Sequence, residues 1–380
     1  MQAHTSRTHI RDARKQYQIG SHIESRGASS TKDSMALDAQ SSSKVPLYNI
    51  QRSDSLDLKK CIITGLQSTP KTMPSLLLWD DQGLRHFEAW TNDPAYYPKH
   101  CEWDILRKYA ADMTDQLPAT SAIIELGCGN LSKTSWLLSH VAKKHRHLLY
   151  YALDVSHDAL CANLRDLQKQ FAASAHVWIA GLCGTYSDCA EWLADSPPLP
   201  VSTVTFLWLG NSVANMTQDD ASSLMGQLRA ACAKASLDCN FLVSADACHV
   251  QHRIRRAYDP THEPSKLFFY HGIHHANRLL GRVTFKEEEW VAIPEWNKEE
   301  HELRYCYAPK RDVRLEIGEL GIAVKKDEKI YYFMSGKWNE TQMGSIARNT
   351  GLKIVKQWKD EHHEYGFYYL KSSTNGLPSL

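Results

Sequence analysis

An apolar run that ends in Glu125 is followed by a tight Gly-x-Gly turn at Gly127 and Gly129, and a segment with helical periodicity comes next. This order is typical of the end of a first β-strand that holds a nucleotide-type cofactor. The glycines let the backbone approach a ligand without a side chain in the way. A second strand candidate ends in Asp154, 25 residues after Gly129, the spacing at which a carboxylate binds ribose hydroxyls. The Gly-x-Gly pair alone also fits an ordinary turn.

Two further features distinguish between cofactors. A nicotinamide dinucleotide requires a third glycine beside its pyrophosphate, and Ser132 stands at that position. S-adenosylmethionine has no phosphate but carries a carboxylate, which Lys133 at the start of the helix could bind; a solvated lysine is the alternative. We therefore predict S-adenosylmethionine as the cofactor, bound by Glu125, Gly127, Gly129, Lys133 and Asp154. Further predicted cofactor contacts follow the third and fourth strands, at Thr185, Tyr186 and Gly210.

Strands and helices alternate around these residues. The predicted strands are 122–126, 148–154, 176–180, 204–208 and 240–245, and the helices between them include 133–144 and 157–171. Such apolar strands indicate a parallel sheet covered on both faces. Later predictions are strands 302–307, 313–317 and 329–334, a helix 339–350, and a final strand pair, 352–358 and 366–370. We predict an α/β fold of the class I methyltransferase type, Rossmann-like and mostly parallel, with an antiparallel C-terminal hairpin.

Two segments outside this pattern, 45–117 and 247–296, are predicted to be mostly helical. We divide the chain into a disordered tail (1–45), a second, smaller domain (46–100 and 247–335) and a methyltransferase domain (101–246 and 336–375). The tail is polar and lacks periodicity. A transit peptide is the alternative there, but acidic residues interrupt its pattern.

The composition excludes several classes of partner. A formal charge of +1 over 380 residues gives no general argument for nucleic acid, and no apolar run reaches the ~20 residues of a membrane span. The ten cysteines lack metal-ligand spacing and indicate a cytoplasmic protein with reduced thiols. His271 and His275 can share a helix face, but the glutamate of a zinc motif is missing between them, so we predict no metal.

The sequence resembles the histidine-specific methyltransferases of the ergothioneine-pathway type and their fungal relatives that act on tryptophan derivatives. The resemblance covers about residues 65–372 and lies in the motifs LWDDQG (78–83), DPAYYP (93–98), ELGCGN (125–130), WLGNSVAN (208–215), RAYD (256–259) and MSGKW (334–338). The segment GTYSD (184–188) is similar to the fungal branch, which includes 4-dimethylallyltryptophan and tryptophan N-methyltransferases.

The resemblance implies a small-molecule substrate, an aromatic amino acid that is methylated on its α-amino group. It further implies that the smaller domain, 46–100 and 247–335, is an α+β substrate-binding domain, and the helical segments found there independently support this. It also implies that Asn215 and Tyr96 hold that amino group, and that Tyr258 and Ser265 bind the carboxylate. Two alternatives stay open from the residues themselves. Asn215 could cap a helix, with Thr217 nearby, and Tyr96 could be a packing residue.

Other positions depart from the histidine-using members. Phe333 stands where they have a glutamate that binds the imidazole, although Ser335 is kept. Trp79 replaces a tyrosine, and Cys306 is smaller than the usual methionine, in an alignment that needs a one-residue shift there. Phe268 completes the predicted substrate-binding set. Loss of an acid and a gain of volume favour an indole over an imidazole.

The sequence therefore predicts an S-adenosylmethionine-dependent α-N-methyltransferase of an aromatic L-amino acid, tryptophan or 4-dimethylallyltryptophan, in fungal indole-alkaloid biosynthesis. The alternatives are a histidine Nα-trimethyltransferase of ergothioneine biosynthesis and a non-catalytic binding protein that kept the fold. Methyl transfer is an in-line displacement that needs an oriented, unprotonated amine. We predict no obligatory catalytic base, with the amine proton leaving through water.

Overall fold

The computed structural model describes residues 45–52, 57–144, 147–195 and 199–372. The predicted tail and its transit-peptide alternative fall, but for residue 45, outside these residues. The strands are β1 (Leu47–Asn49), β2 (Lys71–Thr72), β3 (Thr120–Leu126), β4 (His147–Asp154), β5 (Val177–Cys183), β6 (Thr203–Trp208), β7 (Asp238–Asp246), β8 (Trp290–Asn297), β9 (Glu302–Pro309), β10 (Val313–Ile317), β11 (Leu320–Val324), β12 (Ile330–Gly336), β13 (Leu352–Lys359) and β14 (Tyr365–Ser372). The helices are α1 (Leu58–Gln67), α2 (Asp81–Thr91), α3 (Tyr97–Asp115), α4 (Ser132–Lys143), α5 (His157–Phe171), α6 (Tyr186–Asp195), α7 (Gln218–Lys234), α8 (Gln251–Ala257), α9 (Ser265–Leu280) and α10 (Glu340–Asn349).

The larger sheet has the strand order β1-β5-β4-β3-β6-β7-β14-β13. Its first six strands are parallel, whereas β14 runs antiparallel to β7 and β13 antiparallel to β14. This is the class I methyltransferase fold, and the fold prediction is confirmed. The predicted core strands overlap β3 to β7, while the short edge strand β1 was not predicted.

The apolar character of the central strands follows from helices on both faces of this sheet. On β3, Ile123 packs into a core that includes α4 and α5, and the next residue, Ile124, packs into a core that includes α6, α7 and α10. Side chains alternate along a strand, so both faces need apolar residues. The carboxyl ends of parallel strands lie at one edge of the sheet, and there the turn after β3 lies beside Asp154 at the end of β4.

A second sheet has the order β2-β12-β9-β8, and β10 and β11 form a separate hairpin. Helix α9 packs on this sheet through Phe269, whose ring stacks 4.1 Å from that of Tyr305. The prediction of helix throughout 247–296 was wrong at Trp290–Asn297, which is strand β8. Because β8 lies at the sheet edge, it tolerates Pro294, which lacks a backbone N–H.

Two elements link the predicted substrate-binding range 46–100 to the larger sheet. Strand β1 pairs with β5, and α3 continues through residue 100 and packs on α4. The division of the chain into two domains thus remains a prediction, with its first boundary inside a helix. Within the described ranges, the helices are too short or too polar to cross a bilayer.

Candidate active site

The turn after β3 has the backbone that a cofactor-binding loop requires. Gly127 and Gly129 have positive φ angles of 68° and 56°. A Cβ on Gly127 would lie 2.7 Å from the hydroxyl oxygen of Tyr186, so that position excludes a side chain. A Cβ on Gly129 would meet no heavy atom within 4 Å. The backbone at Gly129 is therefore open to a ligand.

Asp154 lies beside this turn. Its carboxylate accepts hydrogen bonds from the backbone N–H groups of Gly129 at 3.3 Å, Val155 at 2.8 Å and Ser156 at 3.4 Å. Burial raises the pKa of this carboxyl, and the three N–H donors oppose that rise. An acid held next to the open face of the turn fits the ribose of S-adenosylmethionine.

Glu125 supports the turn from the interior. Both of its carboxylate oxygens lie within 2.7 Å of the Thr134 hydroxyl, and the Tyr150 hydroxyl donates to one of them. Burial raises the pKa of the Glu125 carboxyl to about 7, against the effect of these two hydrogen bonds. Its position is one of structural support, and direct cofactor binding by Glu125 remains a prediction.

Lys133 has a partner that the sequence analysis missed. Its Nζ lies 2.7 Å from Oε2 of Glu102, a buried residue of α3. The other oxygen of Glu102 accepts from the backbone N–H of Gly210 and from the Ser244 hydroxyl, each at 2.7 Å. A Cβ on Gly210 would lie 3.1 Å from Lys133 Nζ. Lys133 retains donors for a cofactor carboxylate, so that role stays a prediction.

Thr185 and Tyr186 differ in what they contact. The Thr185 hydroxyl donates to Asp188 at 2.7 Å and accepts from its backbone N–H at 3.1 Å, which organises the start of α6. Tyr186 packs edge-on against Trp208, with ring centroids 5.4 Å apart, and places its hydroxyl at Gly127. Tyr186 thus lies against the cofactor turn, whereas the Thr185 hydroxyl is engaged within its own helix start.

Nine aromatic side chains from α2, α9, the second sheet and adjoining loops form one group, here called the aromatic cluster: Trp79, Phe87, Trp90, Tyr96, Tyr258, Phe268, Phe269, Tyr305 and Phe333. The Phe268 ring lies 6.0 Å from Phe333 and 5.3 Å from Trp79. The structure therefore brings together six of the predicted substrate residues, counting Tyr96, Tyr258 and the adjoining Ser335. The other members, such as Trp90, were not predicted.

Asn215 is not the N-cap of a helix. It ends a short 3-10 turn over Ser212–Ala214, whereas the Thr217 hydroxyl accepts from the Asp220 backbone N–H at 3.1 Å and caps α7. The Asn215 amide is half-buried and makes no hydrogen bond with any other described residue. The capping alternative is thus wrong, and its amide is available for a ligand.

Two predicted substrate residues do not fit their roles. The single hydroxyl proton of Ser265 lies between the backbone carbonyls of Asp259 and His262, so Ser265 has no donor left for a carboxylate. Cys306 lies between Tyr305 and Tyr307 on β9, and its thiol contacts the Ile293 carbonyl oxygen at 3.8 Å. Since alternate residues of a strand face opposite ways, Cys306 points away from the face on which Tyr305 joins the cluster.

A buried ion pair adjoins the cluster and was not predicted. Nζ of Lys337 lies 3.2 Å from Oδ2 of Asp246, which also accepts from the Tyr97 hydroxyl at 2.7 Å. Both charged side chains are fully buried. The available signals were the lysine within the MSGKW motif and an acid at the carboxyl end of a central strand.

Helix α2 connects the cluster with the cofactor turn. Its Asp81 accepts from the Ser156 hydroxyl, two residues after Asp154, and its Glu88 accepts from the Asn130 side chain at 3.1 Å, next to Gly129. The same helix contributes Phe87 and Trp90 to the cluster. The aromatic cluster and the cofactor turn are therefore joined by one helix.

A second polar group lies where α2 begins. Asp80, His271 and His275 place possible ligand atoms within 4.8 Å of one another. However, Asp80 also binds Arg278 at 2.6 Å, and Nδ1 of His275 lies 3.0 Å from the Leu77 carbonyl oxygen, as expected of an N–H donor. Asp80 further caps α2 by accepting from the Gly83 N–H. This donor set fits a helix-capping role better than a cation.

Comparisons with known proteins identify the family of the chain. Residues 58–372 match the profile of a family described as histidine-specific, S-adenosylmethionine-dependent methyltransferases. Over 323 residues the chain is 39% identical to the N-methyltransferase dtpB of Aspergillus flavus, covering 84% of this chain and 90% of that protein. It is 37% identical to the N-methyltransferase imqF of the same species, over 83% and 85% of the two chains. It is 31% identical to the 4-dimethylallyltryptophan N-methyltransferase easF of Epichloe festucae var. lolii, over 82% and 94%.

Proposed function

Because the chain belongs to the histidine-specific, S-adenosylmethionine-dependent methyltransferases, we propose that it methylates the α-amino group of an indole amino acid, tryptophan or 4-dimethylallyltryptophan. The observation that carries this proposal is the apolar surrounding of Phe333. Its ring lies 5.8 to 6.2 Å from those of Tyr305, Phe268 and Phe269. An imidazole bound here would contact the hydrocarbon ring of Phe333, at the position where the histidine-using members have a glutamate.

The shape of the cluster also supports an indole acceptor. Aromatic side chains pack favourably edge-to-face at ring separations of about 4.5–7 Å, and an indole can make contacts of the same kind with these rings. Discrimination against histidine then follows from desolvating imidazole N–H groups without a partner, which costs more than losing one apolar contact. The same reasoning predicts poor binding of other small polar side chains.

The chemistry requires few protein groups. S-adenosylmethionine supplies an activated methyl group on a sulfonium, and the chain must hold a neutral amine in line with it. We assign the orientation of the amine to the Asn215 amide and the Tyr96 phenol. Burial raises the pKa of Tyr96 well above its usual value, so the phenol keeps its proton and is not a strong base. The amine proton then leaves through water.

The test is mass spectrometry of reactions containing the full chain, S-adenosylmethionine and one acceptor: L-histidine, L-tryptophan or 4-dimethylallyltryptophan. We expect a mass gain in an indole amino acid, retained on fragments that contain the α-nitrogen. Methylation of histidine alone would instead identify a histidine Nα-methyltransferase. Failure to bind S-adenosylmethionine in calorimetry would favour the non-catalytic alternative.

We also propose a cytoplasmic location. The ten cysteines are all free thiols, and eight of them are buried: Cys101, Cys128, Cys183, Cys189, Cys232, Cys239, Cys248 and Cys306. Reduced thiols at this number are typical of a reducing compartment. Fluorescence imaging of a tagged full chain would test the location.

A further inference from the structure

A chain of buried polar groups leads from the larger sheet to the aromatic cluster. It begins with the ion pair of Asp246, at the end of β7, and Lys337, directly after β12. The Lys337 ammonium also donates to the Ser335 hydroxyl oxygen at 2.7 Å and to the Tyr258 phenol oxygen at 3.2 Å. Its three N–H donors thus have three acceptors.

Asn211 determines which group donates in each of these hydrogen bonds. Its amide oxygen accepts from the Asp246 backbone N–H at 2.9 Å, so its NH2 group must face the Ser335 oxygen, 3.3 Å away. The Ser335 oxygen then accepts from an ammonium and from an amide N–H, and neither of these groups can accept in return. The Ser335 proton is left for the Tyr258 oxygen, at 3.3 Å.

Tyr258 is the last group in this series of buried hydrogen bonds. Because its oxygen accepts from Lys337 and Ser335, its own O–H points to the side of the cluster, where its hydrogen-bond partner is the Tyr96 phenol, whose ring centroid lies 5.6 Å from that of Tyr258. A carboxylate bound there would replace or share that phenol as the acceptor of the Tyr258 proton. Burial raises the pKa of the Tyr258 phenol, so the proton is retained at neutral pH. The Lys337 ammonium lies 4.2 Å from the Tyr258 ring centroid, which places positive charge behind the donor.

We propose that Lys337, held by Asp246, is a positioning residue that makes Tyr258 a hydrogen-bond donor to the α-carboxylate of the acceptor. The inference rests on the proposed function, because it requires an acceptor that is an amino acid. A donor backed by a buried cation stabilises an anion more than a neutral group. This series of buried hydrogen bonds therefore gives the enzyme a preference for the amino acid over the matching amine that lacks a carboxylate.

The opposite charges of the pair allow a test that separates this role from folding. Replacing Lys337 alone leaves the Asp246 carboxylate buried without a counter-charge, which destabilises the fold strongly. The double variant Lys337→Met/Asp246→Asn removes both charges together, an exchange that proteins tolerate far better. A second variant, Ser335→Ala, keeps the ion pair and removes the middle link. Melting temperature and S-adenosylmethionine binding would be measured for both variants.

The decisive measurement is kcat/KM for L-tryptophan and tryptamine, and for 4-dimethylallyltryptophan and its decarboxylated amine. We expect the double variant to lower the amino-acid to amine ratio of kcat/KM by about tenfold or more, mainly through KM of the amino acid. Ser335→Ala should lower the same ratio by a smaller factor. S-adenosylmethionine affinity should stay at the wild-type value.

The proposal is overturned if the double variant loses activity equally on the amino acid and on its decarboxylated amine. The ion pair of Lys337 and Asp246 would then only stabilise the fold. A wild-type enzyme with no preference for the amino acid would overturn it as well. If wild type methylates histidine instead of indoles, the proposed function fails, and the same comparison on histidine and histamine decides the role of Lys337.

Discussion

The Asp154 carboxylate accepts a hydrogen bond from the backbone N–H of Gly129 at 3.3 Å. One residue thus both fixes the turn after β3 and offers an acid beside its open face. We expect Asp154→Ala to weaken S-adenosylmethionine binding by about 10- to 100-fold, as for the loss of hydrogen bonds to a charged group. Isothermal calorimetry on the full chain measures this. Asp158→Ala, at an exposed site on α5, is the control, and native affinity in Asp154→Ala would remove the ribose role.

Asn215→Ala tests the amino-group contact. Because this amide makes no hydrogen bond with another described residue, its removal should leave the melting temperature unchanged while KM for the acceptor rises by about tenfold. Cofactor affinity should be native. The neighbouring Thr217→Ala is a matched control, expected to cost about 1 kcal/mol of stability as a lost helix cap and to leave KM unchanged. Unaltered kinetics in Asn215→Ala would place it outside the site.

Phe333→Glu tests the choice of acceptor. A carboxylate at this position can bind an imidazole N–H, so the ratio of kcat/KM for histidine over tryptophan should rise by about tenfold or more, chiefly through a loss on tryptophan. Phe333→Leu is the control, since it removes the ring but adds no charge. If both variants shift the ratio equally, volume and not charge determines specificity at this position.

The buried Glu125 carboxyl should make the folding stability of the protein depend on pH. Burial raises the pKa of its carboxyl from 4.5 to about 7, so the folded state holds a proton that the unfolded state releases. Stability from this group is therefore complete below about pH 4.5 and falls, by about 3 kcal/mol in total, as pH rises to 7. Glu125→Gln cannot ionise and should flatten the decline in melting temperature between pH 5 and 7. Exposed Glu361→Gln is the control, and an unchanged profile in Glu125→Gln would contradict the prediction.

The central sheet was predictable because its signals are local. Each buried strand is a short apolar run, and helices such as α5, which begins and ends at the predicted residues His157 and Phe171, carry clear periodicity. Strand β8 was missed because an edge strand with Pro294 and alternating exposure gives a weak pattern. The three-residue β1 is too short for any periodicity.

The site was predictable where a role belongs to a local motif and not where it depends on tertiary pairing. Gly127, Gly129 and Asp154 lie at strand ends in the expected spacing, and the structure places them together. Glu102, by contrast, lies on α3 inside an ordinary amphipathic pattern, and it is distinguished by tertiary contacts with Lys133, Gly210 and Ser244. The substrate contact predicted for Cys306 does not fit the structure. A shift of one residue moves a side chain to the other face of a strand, and the alignment near Cys306 is uncertain by one residue.

Helix α2 contacts the two halves of the site with separate faces. Asp81 and Glu88, seven residues apart, lie on one side and bond to loops at the cofactor turn, while Phe87 and Trp90 lie on the other side among the aromatic rings. Substitutions on the second side can alter the acceptor without disturbing the first. A lineage that keeps its methyl donor can thus acquire new acceptors by changes on half of a single helix.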